Sequence, residues 1–251
     1  MTEIILNGCN GKMGMAVSRL VAERDDCKIV TGVDLRTDIQ REFPVVSNIK
    51  SAGKADVIID FSHPSCLSDL LEYAVTTKTP IVVATTGLNT ADVDNIKAAA
   101  NAVPVFFTFN MSLGVNLLVE LAQTASKVLG SRFDVEIIEK HHNQKIDAPS
   151  GTALMLADAI NSAADENYEY EYNRQAKREK RKKNEIGIHA VRGGTIVGEH
   201  DVIFAGQDEI ITISHSARSK QIFAVGSVNA AMFIKDLAPG LYSMKDLVEA
   251  K

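Results

Sequence analysis

Residues 3–14, EIILNGCNGKMG, determine the fold of the first part of this chain. Glu3–Asn7 is a short apolar run that predicts a buried strand. A loop with glycine at every third position, Gly8–Gly14, follows it directly. A helical pattern comes next, with apolar residues on one face at Met13, Val17, Leu20 and Val21. The order of strand, glycine loop and helix predicts a nucleotide-binding unit.

The next strand supports this interpretation. Lys28–Val33 is predicted to be extended and ends at Asp34, which lies 20 residues beyond Gly14. In dinucleotide-binding units, glycines let backbone amides approach a pyrophosphate, and an acid at about this spacing meets a ribose hydroxyl. The glycines read GxxGxxG rather than GxGxxG, and a plain tight turn is the alternative interpretation. Lys12 and Arg36 place positive charge where a 2′-phosphate would lie, but Asp34 would repel one, so NADH and NADPH both remain open.

Strands and helices continue to alternate up to residue 108. Strands are predicted at Asp56–Phe61, Pro80–Ala84 and Val103–Thr108, with helices between them, which is typical of a parallel sheet. His63 follows the first of these strands, either as a ligand or as a neighbour of a helix cap. A long helix is then predicted from a Ser112 cap, with an apolar face at Leu113, Leu117, Leu121 and Val128.

The pattern changes beyond Gly130. A strand at Phe133–Lys140 and a helix at Thr152–Ala163 precede four closely spaced strands, predicted at Glu185–Val191, Thr195–Gly198, Asp201–Ala205 and Glu209–His215. Ser219–Lys235 and Leu241–Lys251 return to helical patterns. We therefore expect an α/β protein with a Rossmann-type dinucleotide-binding domain, residues 1–112 and 220–251. Residues 113–219 are expected to form a central α+β domain with a mixed or antiparallel sheet, which binds substrate and self-associates through its apolar face.

Composition limits the class of protein. A net charge of −5 over 251 residues argues against a general nucleic-acid coat, and no apolar run is long enough to cross a membrane. Three widely spaced cysteines and the lack of a secretory signal predict reduced thiols in the cytoplasm. One basic run, Arg174–Lys183, could bind an anionic partner but is interpreted as a solvated loop.

Chemistry is expected at Glu139–Thr152, EKHHNQKIDAPSGT. His141, His142 and Lys145 form a cationic group in which each lowers the others' tendency to stay protonated, as suits a proton donor. Ser150–Thr152 opens a helix whose N-terminal amides are expected to form a second anion site. Two anion sites suit a small dicarboxylate. Zinc held by His141, His142 and a carboxylate such as Glu139 is not expected, because adjacent histidines seldom chelate one metal. A purely structural pairing of Lys145 with Asp147 is the remaining alternative.

These residues carry a resemblance to a known family. HHNQKIDAPSGTA, residues 141–153, resembles the pattern H-H-x-x-K-x-D-x-P-S-G-T-A of the 4-hydroxy-tetrahydrodipicolinate reductase (dihydrodipicolinate reductase) family. The resemblance extends to the glycine loop, Ala84–Gly87, Asn110–Asn116 and Arg192–His200. It implies NADH- or NADPH-dependent reduction of 4-hydroxy-tetrahydrodipicolinate to tetrahydrodipicolinate, with loss of water, in lysine (diaminopimelate) biosynthesis by a homotetramer.

The resemblance also implies residue roles. His141 corresponds to the acid/base residue and Lys145 to the proton donor. His142, Gly151 and Thr152 correspond to binders of the substrate's carboxylates, and Asp147 is interpreted as structural. The positions that correspond to cofactor contacts, with Arg36 added from its charge, are Gly8, Cys9, Asn10, Gly11, Lys12, Met13, Asp34, Arg36, Ala84, Thr85, Thr86, Thr108, Phe109, Asn110 and Met111.

Two departures and two rival functions remain open. The family often has Gly where Ala84 stands and Arg where Lys12 stands, which weakens inferences about cofactor preference. A dehydrogenase of another small amino or imino acid is one rival. A non-catalytic nucleotide sensor that binds nucleic acid through Arg174–Lys183 is the other.

Overall fold

A computed structural model describes residues 1–164 and 167–250 of the chain. Lys251, with which the last predicted helix ended, lies outside the described residues. The chain forms two compact units, Met1–Ser112 with Lys220–Lys251 (unit 1) and Leu113–Ser219 (unit 2).

The described strands and helices follow one another in these positions. The strands are β1 (Thr2–Asn7), β2 (Cys27–Val33), β3 (Val45–Val46), β4 (Val57–Asp60), β5 (Ile81–Val83), β6 (Pro104–Phe107), β7 (Asp134–His141), β8 (Glu169–Glu171), β9 (Glu185–Arg192), β10 (Gly198–Ala205), β11 (Ile210–Ala217) and β12 (Gly240–Tyr242). The helices are α1 (Lys12–Ala22), α2 (Leu67–Thr77), α3 (Thr90–Ala99), α4 (Leu113–Leu129), α5 (Gly151–Ala163), α6 (Gln221–Ile234) and α7 (Met244–Glu249).

Unit 1 is built on a seven-stranded parallel sheet in the order β12-β6-β5-β4-β1-β2-β3. Successive side chains of a strand point to opposite faces, so each face of this sheet has its own core. Ile4 and Leu6 of β1 pack with residues of α1 and α6, whereas Ile5 packs with residues of α2 and α3. This two-faced parallel sheet confirms the predicted architecture.

The predictions missed two short strands of this sheet. β3 was not predicted, and β12 lies at the start of Leu241–Lys251, which was predicted to be helical. That prediction was wrong for residues 241–243. Gly240–Tyr242 extends the sheet by pairing with β6, and a capping box between Ser243 and Asp246 then starts α7.

Unit 2 contains a five-stranded mixed sheet in the order β11-β10-β7-β9-β8. Its central strand β7 pairs antiparallel with β10 and parallel with β9, which confirms the predicted mixed sheet. α4 and α5 contribute to its core, where Leu118 and Leu156 pack with Ile137.

Two details of unit 2 differ from the predictions. Thr195–Gly198 and Asp201–Ala205 are not separate strands, because residues 193–197 form a turn around Gly194 (φ +48°) and β10 begins at Gly198. The apolar face of α4 is also not the buried one. Leu117 is 53% exposed and Val128 is 70% exposed, while the helix is buried along Val115, Leu118, Ala122 and Ser126.

Candidate active site

The glycine loop of unit 1 is packed so closely that side chains cannot enter it. Gly8 has φ +76°, and a Cβ there would lie 2.5 Å from the carbonyl oxygen of Phe61. A Cβ on Gly14 would lie 2.2 Å from the carbonyl oxygen of Gly8. These contacts bring the loop backbone against the sheet and the start of α1. Glycine is needed at both positions because any side chain would push the loop away.

Asp34, at the end of β2, holds this loop. Its Oδ2 accepts a hydrogen bond from the Asn10 amide (3.0 Å), and its Oδ1 accepts one from the Arg36 amide (3.0 Å). The Arg36 guanidinium donates to the Asn10 carbonyl (3.0 Å), and Arg41 donates to Asn10 Oδ1 (2.8 Å). The predicted acid and loop are therefore brought together. The sequence reasoning missed Arg41, which lies in irregular chain beyond β2 and has no motif to mark it.

A cavity of about 330 Å³ lies at the carboxyl ends of the strands of unit 1. Strand ends at this edge are where open α/β sheets bind ligands. The cavity brings together eight of the predicted cofactor residues: Met13, Ala84, Thr85, Thr86, Thr108, Phe109, Asn110 and Met111. Three further lining residues were not predicted: Phe61, Ser62 and Phe223. The other predicted residues, Gly8–Lys12, Asp34 and Arg36, do not line this cavity.

Asp60 supports the cavity from behind. Its carboxylate is 1% exposed and accepts hydrogen bonds from Asn7 Nδ2 (2.9 Å), Ser62 N (3.1 Å) and Thr85 Oγ1 (2.7 Å). Burial raises the pKa of this carboxyl, although the hydrogen bonds oppose the effect. Asp60 joins three strand ends below Ser62 and Thr85, a role that the sequence did not indicate.

The surroundings of two single residues of unit 1, His63 and Cys9, indicate what each of them does. His63 caps the turn at Pro64–Cys66, where its Nδ1 accepts a hydrogen bond from Ser65 N (3.2 Å), so the cap is the better interpretation. Cys9 is a buried free thiol, and burial raises its pKa to about 11. A thiol with that pKa is largely protonated at neutral pH and is unreactive.

Glu139 is the centre of the candidate site in unit 2. Its side chain is fully buried (0% exposed) and lies on β7, two residues before His141. Oε2 contacts His141 Nδ1 (2.6 Å) and accepts from Arg192 (2.7 Å), while Oε1 accepts from Arg192 (2.6 Å) and from Ser150 N (3.0 Å). Burial alone would raise the pKa of Glu139, but the hydrogen bonds from Arg192, His141 and Ser150 outweigh it and lower the pKa. The carboxylate is therefore ionised at neutral pH.

His141 ends β7 and packs against a second imidazole. Its ring meets that of His200 edge to face, with centroids 5.2 Å apart and planes at 74°. Burial lowers the pKa of His141, Glu139 pulls it upward, and Lys145 and Arg192 lower it further. Burial and His141 also lower the pKa of His200 to about 4, so His200 is neutral at physiological pH.

Lys145 lies on the loop after β7 and pairs with Asp147 (Nζ to Oδ1, 2.8 Å). This is the pairing that the structural alternative required. The side chain of Asp147 is 59% exposed, and an exposed ion pair is weak. The pairing is therefore compatible with a functional role for Lys145. The lysine hydrogen bond lowers the pKa of Asp147. Arg192 donates to the Asp147 carbonyl (2.7 Å) and so ties the loop to β9.

The start of α5 is fixed by Ser150. Its hydroxyl accepts from Ala153 N (3.2 Å) as the N-cap and contacts His200 Nε2 (3.0 Å). The cap leaves Gly151 and Thr152 in the first turn of the helix, where backbone amides favour an anion. His142 is partly buried beside His141. Glu139 was considered only as a metal ligand, and Arg192 and His200 were quoted only within a motif. The contacts that these three side chains make were not predicted.

The basic run is tied to acidic side chains of the same unit. Arg174 pairs with Glu185, Lys177 with Glu171, and Lys182 with Glu169. Arg181 donates to Glu136 (3.0 Å), to Asp134 (2.8 Å) and to the Val135 carbonyl (2.9 Å). Four of its seven cations are therefore paired with carboxylates of β7, β8 and β9, whereas the run was interpreted as a solvated loop.

Within residues 1–164 and 167–250, no group of three or more His, Cys, Asp or Glu side chains is placed to hold a metal ion. None of the helices in these ranges has the length and apolar character to cross a membrane.

The parallel sheet with its glycine loop, together with the histidine-lysine cluster, defines an oxidoreductase with a nucleotide-binding fold. The profile described as "Dihydrodipicolinate reductase, N-terminus" matches residues 2–111, and "Dihydrodipicolinate reductase, C-terminus" matches residues 114–248. The chain belongs to the dihydrodipicolinate reductase family. Its reaction is that of 4-hydroxy-tetrahydrodipicolinate reductase, in lysine and diaminopimelate biosynthesis.

Individual relatives agree over the full length. A 4-hydroxy-tetrahydrodipicolinate reductase of Caldanaerobacter subterraneus subsp. tengcongensis is 53% identical over 250 residues, which cover 99% of each chain. One of Clostridium tetani is 47% identical over 97% of this chain and 96% of its own. The structure of a dipicolinate-bound dihydrodipicolinate reductase from Paenisporosarcina sp. TG-14 matches with TM-score 0.80 and 25% identity, and the match covers 97% of both chains.

A more distant structure shows the fold alone. The myo-inositol dehydrogenase of Lactobacillus casei, solved with NAD(H) and myo-inositol, has a TM-score of 0.59 at 16% identity over 98% of this chain and 90% of its own.

Proposed function

We propose that the chain carries out its reaction with NADH or NADPH bound to unit 1 and with the dicarboxylate held by unit 2. The fit of unit 1 to a dinucleotide is supported by the close-packed glycine loop, in which a Cβ on Gly8 or Gly14 would strike backbone atoms. The residues that would hold the cofactor are the glycine loop, Asp34, Arg36 and the lining of the cavity. A bound dinucleotide supplies the hydride.

The observation that carries the proposed site in unit 2 is that one buried carboxylate organises three parts of it. Glu139 contacts His141 directly, holds the start of α5 through Ser150 N, and reaches the loop of Lys145 through Arg192 and the Asp147 carbonyl. Acid–base groups and a helix N-terminus are thereby fixed in one framework. Such fixed geometry is what a proton transfer and a carboxylate site both require.

The proposed roles follow from the chemistry of each group. His142 and the amides of Gly151 and Thr152 bind the carboxylates of the substrate. Lys145 releases Asp147 and donates a proton to the reduced substrate. His141 acts as the acid/base residue, because its lowered pKa keeps the imidazole neutral at pH 7 and so able to accept a proton. Loss of water and reduction together give tetrahydrodipicolinate.

The test measures NADH and NADPH oxidation with freshly prepared substrate. His141→Ala and Lys145→Ala should each lower kcat by about 10²–10⁴-fold, the usual contribution of a positioned acid or base. Lys140→Ala is the matched control, since Lys140 lies on the same strand and pairs with Glu199 and Asp201 instead. Turnover that is unchanged in both site variants would overturn the proposed roles.

Coenzyme choice is tested by measuring kinetics with both coenzymes side by side. Arg36 and Arg41 present guanidinium groups at Asn10, close to the carboxylate of Asp34. An NADPH preference that Arg36→Ala abolishes would show that Arg36 overrides the repulsion from Asp34. An NADH preference that Arg36→Ala leaves unchanged would assign the choice to Asp34.

We further propose that the enzyme is a cytoplasmic homotetramer. Support comes from the exposed apolar side chains of α4 and from Ile210 on β11, which is 68% exposed. Exposed apolar patches of this kind mark interaction surfaces. Light scattering should give four chains per particle, and Leu117→Asp should shift the mass downward. A monodisperse monomer for the unmodified chain would contradict the proposal.

A further inference from the structure

The strongest unassigned feature is the pair of Glu139 and Arg192. Arg192 meets both oxygens of the carboxylate (2.7 and 2.6 Å), in the bidentate geometry that gives strong and directional hydrogen bonds. A buried carboxylate with a single arginine would already be neutralised. Glu139 nevertheless has a further contact at each oxygen, with His141 Nδ1 on one and Ser150 N on the other.

These contacts determine which nitrogen of His141 carries the proton. An ionised carboxylate can only accept, so the nitrogen at 2.6 Å from it must be the donor. A neutral His141 therefore carries its proton on Nδ1, and Nε2 has the free lone pair. A Cβ built on Gly198 would lie 3.1 Å from Nε2, so this nitrogen lies over a residue with no side chain to cover it. The edge-to-face contact with His200 fixes the ring in this orientation.

We infer that Glu139 is the positioning residue of His141 and that Arg192 partly neutralises the charge that Glu139 exerts on the imidazole. Nε2 is then the atom that exchanges a proton with the substrate. The inference rests on the proposed acid/base role of His141. Without Glu139 the ring could carry its proton on either nitrogen. Without Arg192 the full charge of the carboxylate would act on the imidazole and hold it protonated.

Replacing Glu139 and replacing Arg192 should shift the pKa of His141 in opposite directions. Glu139 on β7 raises the pKa of His141, whereas Lys145 on the loop and Arg192 on β9 lower it, and the neighbouring His200 of β10 is neutral. Glu139→Gln removes a charge that raises the pKa of His141. The limb of the pH profile that reports His141 should therefore move to lower pH. Arg192→Gln removes a cation, so the same limb should move to higher pH, and Arg192→Lys should restore it toward the original position.

The rate should change as well. Glu139→Gln should lower kcat by about 10²-fold or more, because the Gln amide can donate to Nδ1 and favour the tautomer whose proton is on Nε2, which would leave about 1% or less of the imidazole in the productive form. KM should change little, because the amide oxygen of Gln can still accept from Ser150 N and hold the start of α5, with its proposed carboxylate binders, in place. Glu136→Gln is the matched control. Glu136 lies on the opposite face of β7 and also contacts an arginine (Arg181, 3.0 Å) and a histidine (His189, 2.8 Å).

Each variant is checked by its circular dichroism melt and by coenzyme titration. If Glu139→Gln does not fold, the unmodified enzyme still gives a direct measurement. The ¹⁵N chemical shifts of labelled histidines report the tautomer, and the His141 signal is assigned by its absence in His141→Ala. A proton on Nδ1 at neutral pH supports the inference, and a proton on Nε2 overturns it.

The outcomes separate this inference from the proposed function. Full activity of His141→Ala overturns the proposed role and the inference with it. If His141→Ala is inactive while Glu139→Gln and Arg192→Gln have pH profiles that superimpose on that of the unmodified enzyme, the role of His141 stands and the inference fails. Limbs that move in opposite directions support both.

Discussion

Replacing Asp60 should separate the effect of shape from that of charge below the cavity of unit 1. Its Oδ1 accepts from both Asn7 Nδ2 and Ser62 N, whereas its Oδ2 accepts from Thr85 Oγ1. In Asp60→Ala, the Ser62 amide and the Thr85 hydroxyl lose their buried acceptor, while Asn7 keeps a bond to Ser62 Oγ (3.1 Å). Two unsatisfied groups at about 1–3 kcal/mol each give a loss of about 2–6 kcal/mol.

Asp60→Asn should be much milder. The carbamoyl oxygen can take the place of Oδ1 and keep both of its donors, and the NH₂ group can donate to Thr85 once that hydroxyl rotates. We expect a loss of about 1 kcal/mol or less. Because Thr85 lines the cavity, coenzyme affinity should follow the same order, with Asp60→Ala weakened at least tenfold.

The pH dependence has a definite sign. The pKa of Asp60 is raised in the folded state, so the folded chain binds this proton more tightly than the unfolded chain. Stability from this group is therefore full below the ordinary pKa of Asp and falls as pH rises toward the folded pKa. Asn does not titrate, so Asp60→Asn does not lose stability in this way. The melting temperature of Asp60→Asn, measured relative to that of the unmodified enzyme, should therefore rise from pH 4 to pH 7.

The assay is thermal unfolding at several pH values together with titration of NADH fluorescence. Asp56→Ala is the control, since its exposed carboxylate accepts only from Glu3 N (2.7 Å) at the opposite end of the sheet. Equal losses for Asp60→Asn and Asp60→Ala would refute the reasoning, as would an Asp60→Ala enzyme that melts and binds coenzyme like the unmodified one.

Three other substitutions test further features. Gly8→Ala should weaken coenzyme binding at least tenfold in a fluorescence titration, because its Cβ would lie 2.5 Å from a backbone oxygen; Gly53→Ala, also at positive φ (+78°) but with nothing within 4 Å, should leave affinity unchanged. Gly198→Ala should lower kcat about tenfold with coenzyme affinity intact, because its methyl group would displace the His141 ring, and an unchanged kcat would contradict that contact. Arg181→Met should lower the free energy of unfolding by about 2–3 kcal/mol in a urea titration, because two carboxylates and backbone carbonyls lose their donor; a stability equal to that of the unmodified enzyme would show that the basic run is not anchored through it.

Local sequence patterns were sufficient to predict most of the fold. The apolar run of β1 and the helical periodicity of α1 depend on short-range rules, and both elements form where they were expected. Short edge strands were harder. Val45–Val46 and Gly240–Tyr242 are extended because each pairs with a neighbouring strand and completes an edge of the sheet. A segment of two or three residues contains no local pattern that predicts such a pairing.

The candidate site was predicted by its motif and not by its supporting contacts. Arg192 reaches Glu139 across 53 residues of sequence, and Thr85 reaches Asp60 across 25. Such pairs are set by strand order, which no local pattern contains. An apolar face was predicted for α4, but the sequence did not show whether that face is buried. The exposed side of the helix and its buried side both carry apolar residues, and only packing decides which side is buried.

The composition of the core of unit 1 has a consequence for how the chain is made. One of its two cores contains Ile4 and Leu6 together with Val228, Ile234 and Leu247. A ribosome delivers the first two residues at the start of synthesis and the last three near the end. The glycine loop therefore leaves the ribosome long before its supporting core is complete. While unit 2 is translated, one face of the sheet formed by the first 112 residues has α1 but not α6 to cover it. Unit 2 has every residue of its own core by Ile213, so it can fold first.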